Sequence, residues 1–193
     1  MLKHLLTAKC NRACEYCISR NVKHKQVADI QKVAEVYRSF APRTQLMLTG
    51  GEPSMAEWFT SIVISAHSHF NELYITTQNP ELVKWQPINK LFNAITFSIH
   101  DYEIPEVETE NKVYASILDE RYCPELVEEL VQKGYAGLTI NEEHRGKTVF
   151  DETQLPNIPD YMFPIRVNRR GKCLNEPMIM PDLTVIDNFQ EYL

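Results

Sequence analysis

The sequence predicts an α/β fold, a partial (β/α)6 TIM-like barrel of parallel strands, and three observations point there. Short runs rich in β-branched and aromatic residues alternate with helical patterns from one end of the chain to the other, which is the mark of βαβ units and a parallel sheet. Within the helical stretches apolar residues recur at intervals of three and four, so each helix has a face to bury. The chain of 193 residues has room for six such units, whereas a closed (β/α)8 barrel needs ~250 residues.

The first strand is expected at 2–7, running directly into a cysteine-rich loop. A helix follows over 27–40, where Ile30, Val33, Ala34, Tyr37 and Phe40 share one face and Pro42 ends it. The second strand is 45–48. Pro53 and Ser54 open the next helix, with Trp58, Phe59, Ile62, Val63, Ala66 and Phe70 as its buried stripe. A third strand over 73–76 leads to a weaker helix over 80–92 that Pro87 breaks or kinks. The fourth strand is 94–99. Between 101 and 122 the chain turns acidic, with Glu103, Glu106, Glu108 and Glu110 in quick succession, and the first half of this segment reads as a solvated loop. A helix over 124–133 is capped by Gly134, and strands five and six are 137–140 and 163–167. The expected organisation is one barrel domain over 1–170 and a tail, 171–193, packing on or near it.

Composition narrows the function. With 44% hydrophobic residues the chain can bury a core without disulfides. A formal charge of -6 argues against a broad nucleic-acid-binding face. The apolar stretch 58–64 is too short to span a bilayer, so no membrane association is expected. Five cysteines, an odd number, with no signal peptide before them fit a reducing, cytoplasmic setting.

Cys10, Cys14 and Cys17 sit close enough for one loop to aim three thiolates at a single metal centre. A fully ligated Fe-S cluster usually takes four thiolates, so a 4Fe-4S cluster held by three keeps one iron open for a ligand. Two alternatives stand beside this. His24 could complete a Cys3His zinc site, although such sites usually pair two ligand hooks; and the thiols could be core filler, although Asn11, Arg12 and Glu15 are poor company for apolar sulfur. Further motifs fall at the carboxyl ends of the expected strands, where ligands bind in parallel α/β folds. Thr49-Gly50-Gly51-Glu52-Pro53 follows the second strand, Thr77 and Asn79 the third, and Ser98, His100 and Asp101 the fourth. His100 and Asp101 are candidate catalytic acid-base groups, with Glu142, Glu143 and His144 as a second set after strand five. Arg166, Arg169, Arg170 and Lys172 form a basic cluster suited to a substrate carboxylate or phosphate, or simply a solvated loop.

The C-x3-C-x2-C spacing, with Tyr16 before the third cysteine and Thr49 to Pro53 some thirty positions later, resembles the signature of radical S-adenosylmethionine (radical SAM) enzymes. The resemblance implies a partial barrel and a minimal, single-cluster member that uses a 4Fe-4S cluster on Cys10, Cys14 and Cys17 to cleave S-adenosylmethionine reductively. The resulting 5'-deoxyadenosyl radical would take hydrogen from a small-molecule or peptide substrate. By the same resemblance, main-chain carbonyls and a carboxylate of Gly50, Gly51 and Glu52 hold the cofactor's amino group, and Thr76, Thr77, Asn79 or Ser98 serve its ribose. Tyr16 shelters the cluster and lies near the adenine. Arg166 pairs with the methionine carboxylate. A one-electron reductant such as flavodoxin or ferredoxin is an implied partner. Auxiliary-cluster subclasses are disfavoured, because only Cys123 and Cys173 remain. A non-catalytic 4Fe-4S electron carrier or sensor and a zinc-stabilised binding module are the alternative readings.

Overall fold

The computed structural model describes residues 1–14, 17, 19, 22, 29–40, 45–84, 86–100, 103–142, 149–159, 162–169 and 176–187. After strand β1 (Leu2–Leu5), helix α1 (Ile30–Ser39) starts at Asp29, whose carboxylate accepts from the Gln31 and Lys32 amides. Such a cap satisfies donors that the first helical turn leaves open. Strand β2 (Gln45–Thr49), helix α2 (Phe59–His69) and strand β3 (Glu72–Thr77) follow, then strands β4 (Ala94–Ser98) and β5 (Lys112–Leu118). Helix α3 (Pro124–Gln132) ends at Gly134, which adopts a φ of 83°. Strands β6 (Leu138–Asn141), β7 (Ile165–Asn168), β8 (Met178–Ile179) and β9 (Val185–Ile186) complete the set.

The nine strands among the described residues form one sheet in the order β7-β6-β5-β4-β3-β2-β1-β8-β9. Strands β1 to β7 pair in parallel, each with its sequence neighbour, so the expected partial barrel of parallel strands is present. β8 extends the sheet beside β1 in parallel, and β9 folds back antiparallel through a turn that holds Leu183 at a φ of 67°.

Besides β8 and β9, which fall in the segment expected only as a tail, three elements differ from the sequence expectation. The first is β5, whose alternating Val113, Ala115 and Ile117 are buried between β4 and β6. In place of a helix over 80–92 there are two 3-10 turns, Pro80–Leu82 and Pro87–Leu91. Buried Asn89 bonds the Leu82 and Lys84 carbonyls at 2.9 and 2.7 Å, taking acceptors that a continuing helix would need. The third difference lies after β2, where Pro53–Met55 is a 3-10 turn and extended backbone at Ala56 interrupts the chain before α2. Trp58 consequently sits at the helix start and is 38% exposed, outside the buried stripe of Ile62, Val63 and Ala66.

The sheet separates two environments. Its outer face carries residues such as Leu46, Leu48, Ile75, Ile95 and Ile140, which are buried in the main core. The inner face is polar. Lys3, Tyr74, Thr76, Thr96, Ser116, Thr139, Asn141 and Arg166 line a chamber of about 1270 Å³. In a closed eight-stranded barrel this volume is filled by bulky branched side chains; here the strands stop short of closure and line the space with hydroxyls, amides and charges.

One polar residue crosses into the outer core. His4 is fully buried, with Nδ1 2.6 Å from the Tyr37 hydroxyl, its ring edge-on to the tyrosine, and Nε2 without a partner among the described residues. Burial lowers the His4 pKa to about 3. Between that value and the ordinary histidine value of 6.5 the unfolded chain binds a proton that the folded chain does not, so stability falls as pH falls through this window. The limiting slope for one proton is ~1.4 kcal/mol per pH unit. Urea titrations of wild type and His4→Gln between pH 4 and 7 are expected to differ by that slope, and parallel curves would show that His4 titrates normally.

Candidate active site

The ends of the first four strands build the site. After β1, the Thr7 and Lys9 carbonyls accept from the Gly51 and Glu52 amides at 2.6 and 2.9 Å. The cysteine loop is therefore laced to the turn after β2 through main-chain atoms. A Cβ on Gly50 would lie 2.6 Å from the Thr7 oxygen, and one on Gly51 only 2.4 Å from the Lys9 oxygen. Both glycines are required by the close approach of the cysteine loop itself.

Glu52 is 2% exposed and organises the next layer. Its Oε1 accepts from the Thr77 hydroxyl at 2.7 Å and from the Ser54 hydroxyl and amide at 2.7 and 3.1 Å; Oε2 accepts from the Gln78 amide at 2.8 Å. A carboxylate offers about four lone-pair sites. Three of the four bonds fall on Oε1 and one on Oε2, and together they tie the end of β3 to the turn after β2. Thr77 belongs to the same knot, since its hydroxyl also accepts from the Asn79 amide at 3.0 Å.

Cys10, Cys14, Cys17, Glu52, Ser98 and His100 line one cavity of about 260 Å³, together with Gly50, Gly51, Thr77 and Gln78. The three thiols are free and half-buried. Cys10 Sγ accepts from Gln78 Nε2 at 2.7 Å and from the Arg12 amide at 3.4 Å. Two N–H donors on one sulfur suit a thiolate ligand better than an inert buried thiol. Among the described residues no three His, Cys, Asp or Glu side chains converge on a single-ion site, and the three thiols share the lining of this one cavity. The Ser98 hydroxyl faces the cavity and makes no hydrogen bond among the described residues. His100 is held at its carbonyl by the Arg121 guanidinium.

Other expected site residues fall elsewhere. Asn79 caps the turn at Pro80–Leu82, accepting from the Glu81 amide at 3.1 Å and donating to Ser54 Oγ at 3.1 Å, and does not line the cavity. Arg166 lies on the inner face of β7 and lines the large chamber, away from the cysteines. Arg169 is engaged by Glu142 at 2.6 Å and by Glu152, so it closes a loop and does not stand free as a clamp. Tyr16, Asp101, Glu143, His144, Arg170, Lys172, Cys173 and the zinc candidate His24 lie outside the described residues. Gln78 and Ser54 entered the site without being expected there. The only sequence signal for Gln78 is that it separates Thr76-Thr77 from Asn79.

No protein-family model matches the chain, and no curated protein matches it in sequence. Solved structures do. Streptococcus suis SuiB bound to S-adenosylmethionine aligns over 96% of this chain with a TM-score of 0.64 and 11% identity. SuiB bound to the precursor peptide SuiA aligns over 86% with a TM-score of 0.60 and 11% identity. BtrN in complex with AdoMet and 2-DOIA aligns over 99% with a TM-score of 0.54 and 14% identity. This chain spans 57% and 48% of the two SuiB chains and 73% of the BtrN chain. In the described residues no helix is long and apolar enough to cross a membrane. With its parallel partial barrel, and with the three cysteines and the Gly-Gly-Glu turn on one cavity at the ends of its first two strands, the chain has the radical SAM fold.

Proposed function

We propose that the chain is a radical SAM enzyme acting on a polar small molecule or peptide held in the chamber of the partial barrel. The observation that carries this reading is the convergence of Cys10, Cys14, Cys17 and the turn at Gly50, Gly51 and Glu52 on one cavity. In this reading Cys10, Cys14 and Cys17 hold a 4Fe-4S cluster and leave one position open. When bound, the cluster and S-adenosylmethionine supply a 5'-deoxyadenosyl radical able to take hydrogen from an unactivated carbon. Glu52 fixes the turn that faces the cofactor, and Ser98 offers a free hydroxyl to its ribose. His100 lies beside the same cavity as a candidate acid-base group. The electron comes from a partner reductant of the flavodoxin or ferredoxin kind.

The chamber argues for the character of the substrate. It shares Thr76 with the cysteine cavity. Ser98, Ser116, Thr139 and Arg166 are successive cross-strand neighbours from β4 to β7, all on the inner face. The Arg166 guanidinium has no partner among the described residues, which makes it a substrate anchor for a carboxylate or phosphate in preference to a cofactor ligand. SuiB is bound to a peptide in one structure and BtrN to 2-DOIA in another, so both substrate kinds remain within the reading.

Anaerobic purification, reconstitution with iron and sulfide, and reduction in the presence of S-adenosylmethionine form the test. Chromatographic appearance of 5'-deoxyadenosine is the expected result. A complete 4Fe-4S cluster with no cleavage under strong reductant would favour the electron-carrier reading, and failure to hold iron would favour the zinc module.

A further inference from the structure

We propose that Gln78 is a positioning residue for the cysteine-held centre: its side-chain amide donates to Cys10 and raises the potential at which the centre accepts an electron. The inference rests on the radical SAM reading above. Gln78 follows β3 and is 9% exposed. Its backbone amide is tied to Glu52 Oε2 at 2.8 Å, which holds the main chain at this position. Its Nε2 then reaches Cys10 Sγ at 2.7 Å and Asn11 Oδ1 at 3.1 Å across the cavity wall. Two amide hydrogens meet two acceptors. With Cys10 Sγ and Asn11 Oδ1 as the acceptors, the amide turns its nitrogen to both.

The other end of the amide makes the case. Gln78 Oε1 is buried and has no hydrogen-bond partner among the described residues. A buried acceptor without a donor carries a desolvation penalty that an apolar side chain of the same size would avoid. For stability alone the position suits leucine or methionine. What glutamine adds there is the N–H on the cysteine sulfur. Hydrogen bonds to cluster sulfurs, with net charge and exposure, set the potential of Fe-S centres. An electron added to the centre increases the negative charge on its thiolates, so a donor on Cys10 stabilises the reduced state more than the oxidised one.

The experiment is an EPR-monitored redox titration of the reconstituted wild-type protein, Gln78→Leu and Gln78→Met. Leucine removes the donor at similar volume, and methionine keeps the reach without branching, so a packing fault peculiar to one side chain does not decide the result. Both variants are expected to shift the one-electron equilibrium about tenfold toward the oxidised form, a potential ~59 mV more negative. Gln78→Asn keeps the amide but is too short to reach the sulfur, and is expected to behave like them. If the variants load a cluster and titrate at the wild-type potential, the proposal fails while the radical SAM reading stands. If wild type holds no 4Fe-4S cluster, the reading itself fails. A role limited to anchoring Asn11 would lower thermal stability and leave the potential unmoved.

Discussion

Gly51→Ala is expected to cost about 3 kcal/mol or more of folding stability and to release the cysteine loop from the strand ends. The reason is backbone against backbone. The new Cβ would lie 2.4 Å from the Lys9 oxygen and 2.9 Å from both the Ala8 oxygen and the Lys9 carbonyl carbon. A flexible side-chain tip could move aside, but here the chain segment leading to Cys10 must shift as a whole. Relief would stretch the Glu52 amide bond to the Lys9 carbonyl, now 2.9 Å, and the bond from the Gly51 amide to Thr7, now 2.6 Å. Gly134→Ala is the control. There a Cβ meets only Val107 at ordinary distances of 3.5 Å and beyond, and the penalty is the φ of 83°, worth about 1 kcal/mol. Denaturant unfolding should rank the two variants in that order, and thiol labelling of the folded proteins should show faster reaction at Cys10 in Gly51→Ala alone. A Gly51→Ala protein within ~1 kcal/mol of wild type, with normal thiol protection, would show that the loop is not held by this approach.

The same contact shows what the sequence could and could not disclose. The cysteine spacing and the Gly-Gly-Glu run are local patterns, legible because a few consecutive residues carry them, and parallel topology brings both to one end of the sheet. The reason for the glycines was not legible. They read as a turn open to a ligand, whereas their neighbours are Thr7, Ala8 and Lys9, more than forty positions earlier. Glu52 shows the same limit, since two of its donors come from 25 and 26 positions away. Arg166 lies in an expected strand, yet which cavity it lines depends on sheet register, through its pairing with Thr139. Strand β5 was obscured for a different reason. Its apolar residues alternate with Lys112, Tyr114 and Ser116, which line the chamber, and an acidic run stands immediately before it. In a closed barrel both faces of such a strand would be apolar and the segment would announce itself. The polar inner face that makes the chamber hospitable to substrate is thus what made one of its walls hard to read.

Glu52→Ala is expected to destabilise the fold by ~3–5 kcal/mol, because it strands several donors at once. Thr77 is 2% exposed and its hydroxyl loses its 2.7 Å acceptor; the Gln78 amide loses its only acceptor among the described residues, at 2.8 Å. Ser54 loses two bonds, from its hydroxyl and its amide. Glu52→Gln separates charge from shape. The Thr77 and Ser54 hydroxyls can rotate to accept from an amide, and the new carbonyl can still serve the Gln78 N–H, but the Ser54 amide is then left facing a donor. Glu52→Gln should therefore cost well under half as much as Glu52→Ala. Denaturant titration of the three proteins gives the ranking, and calorimetry with S-adenosylmethionine gives the second axis. With both carboxylate oxygens of Glu52 already engaged inside the protein, Oε1 by three donors and Oε2 by the Gln78 amide, Glu52→Gln should bind S-adenosylmethionine less than tenfold more weakly than wild type, a difference below ~1.4 kcal/mol. Normal stability combined with a collapse of binding in Glu52→Gln would reverse the assignment, making Glu52 a ligand to the cofactor's amino group and its four internal bonds expendable. Loss of stability with binding largely retained would establish that the glutamate supports the site by holding the ends of β2 and β3 together, leaving direct contact with the amino group to main-chain carbonyls of the turn.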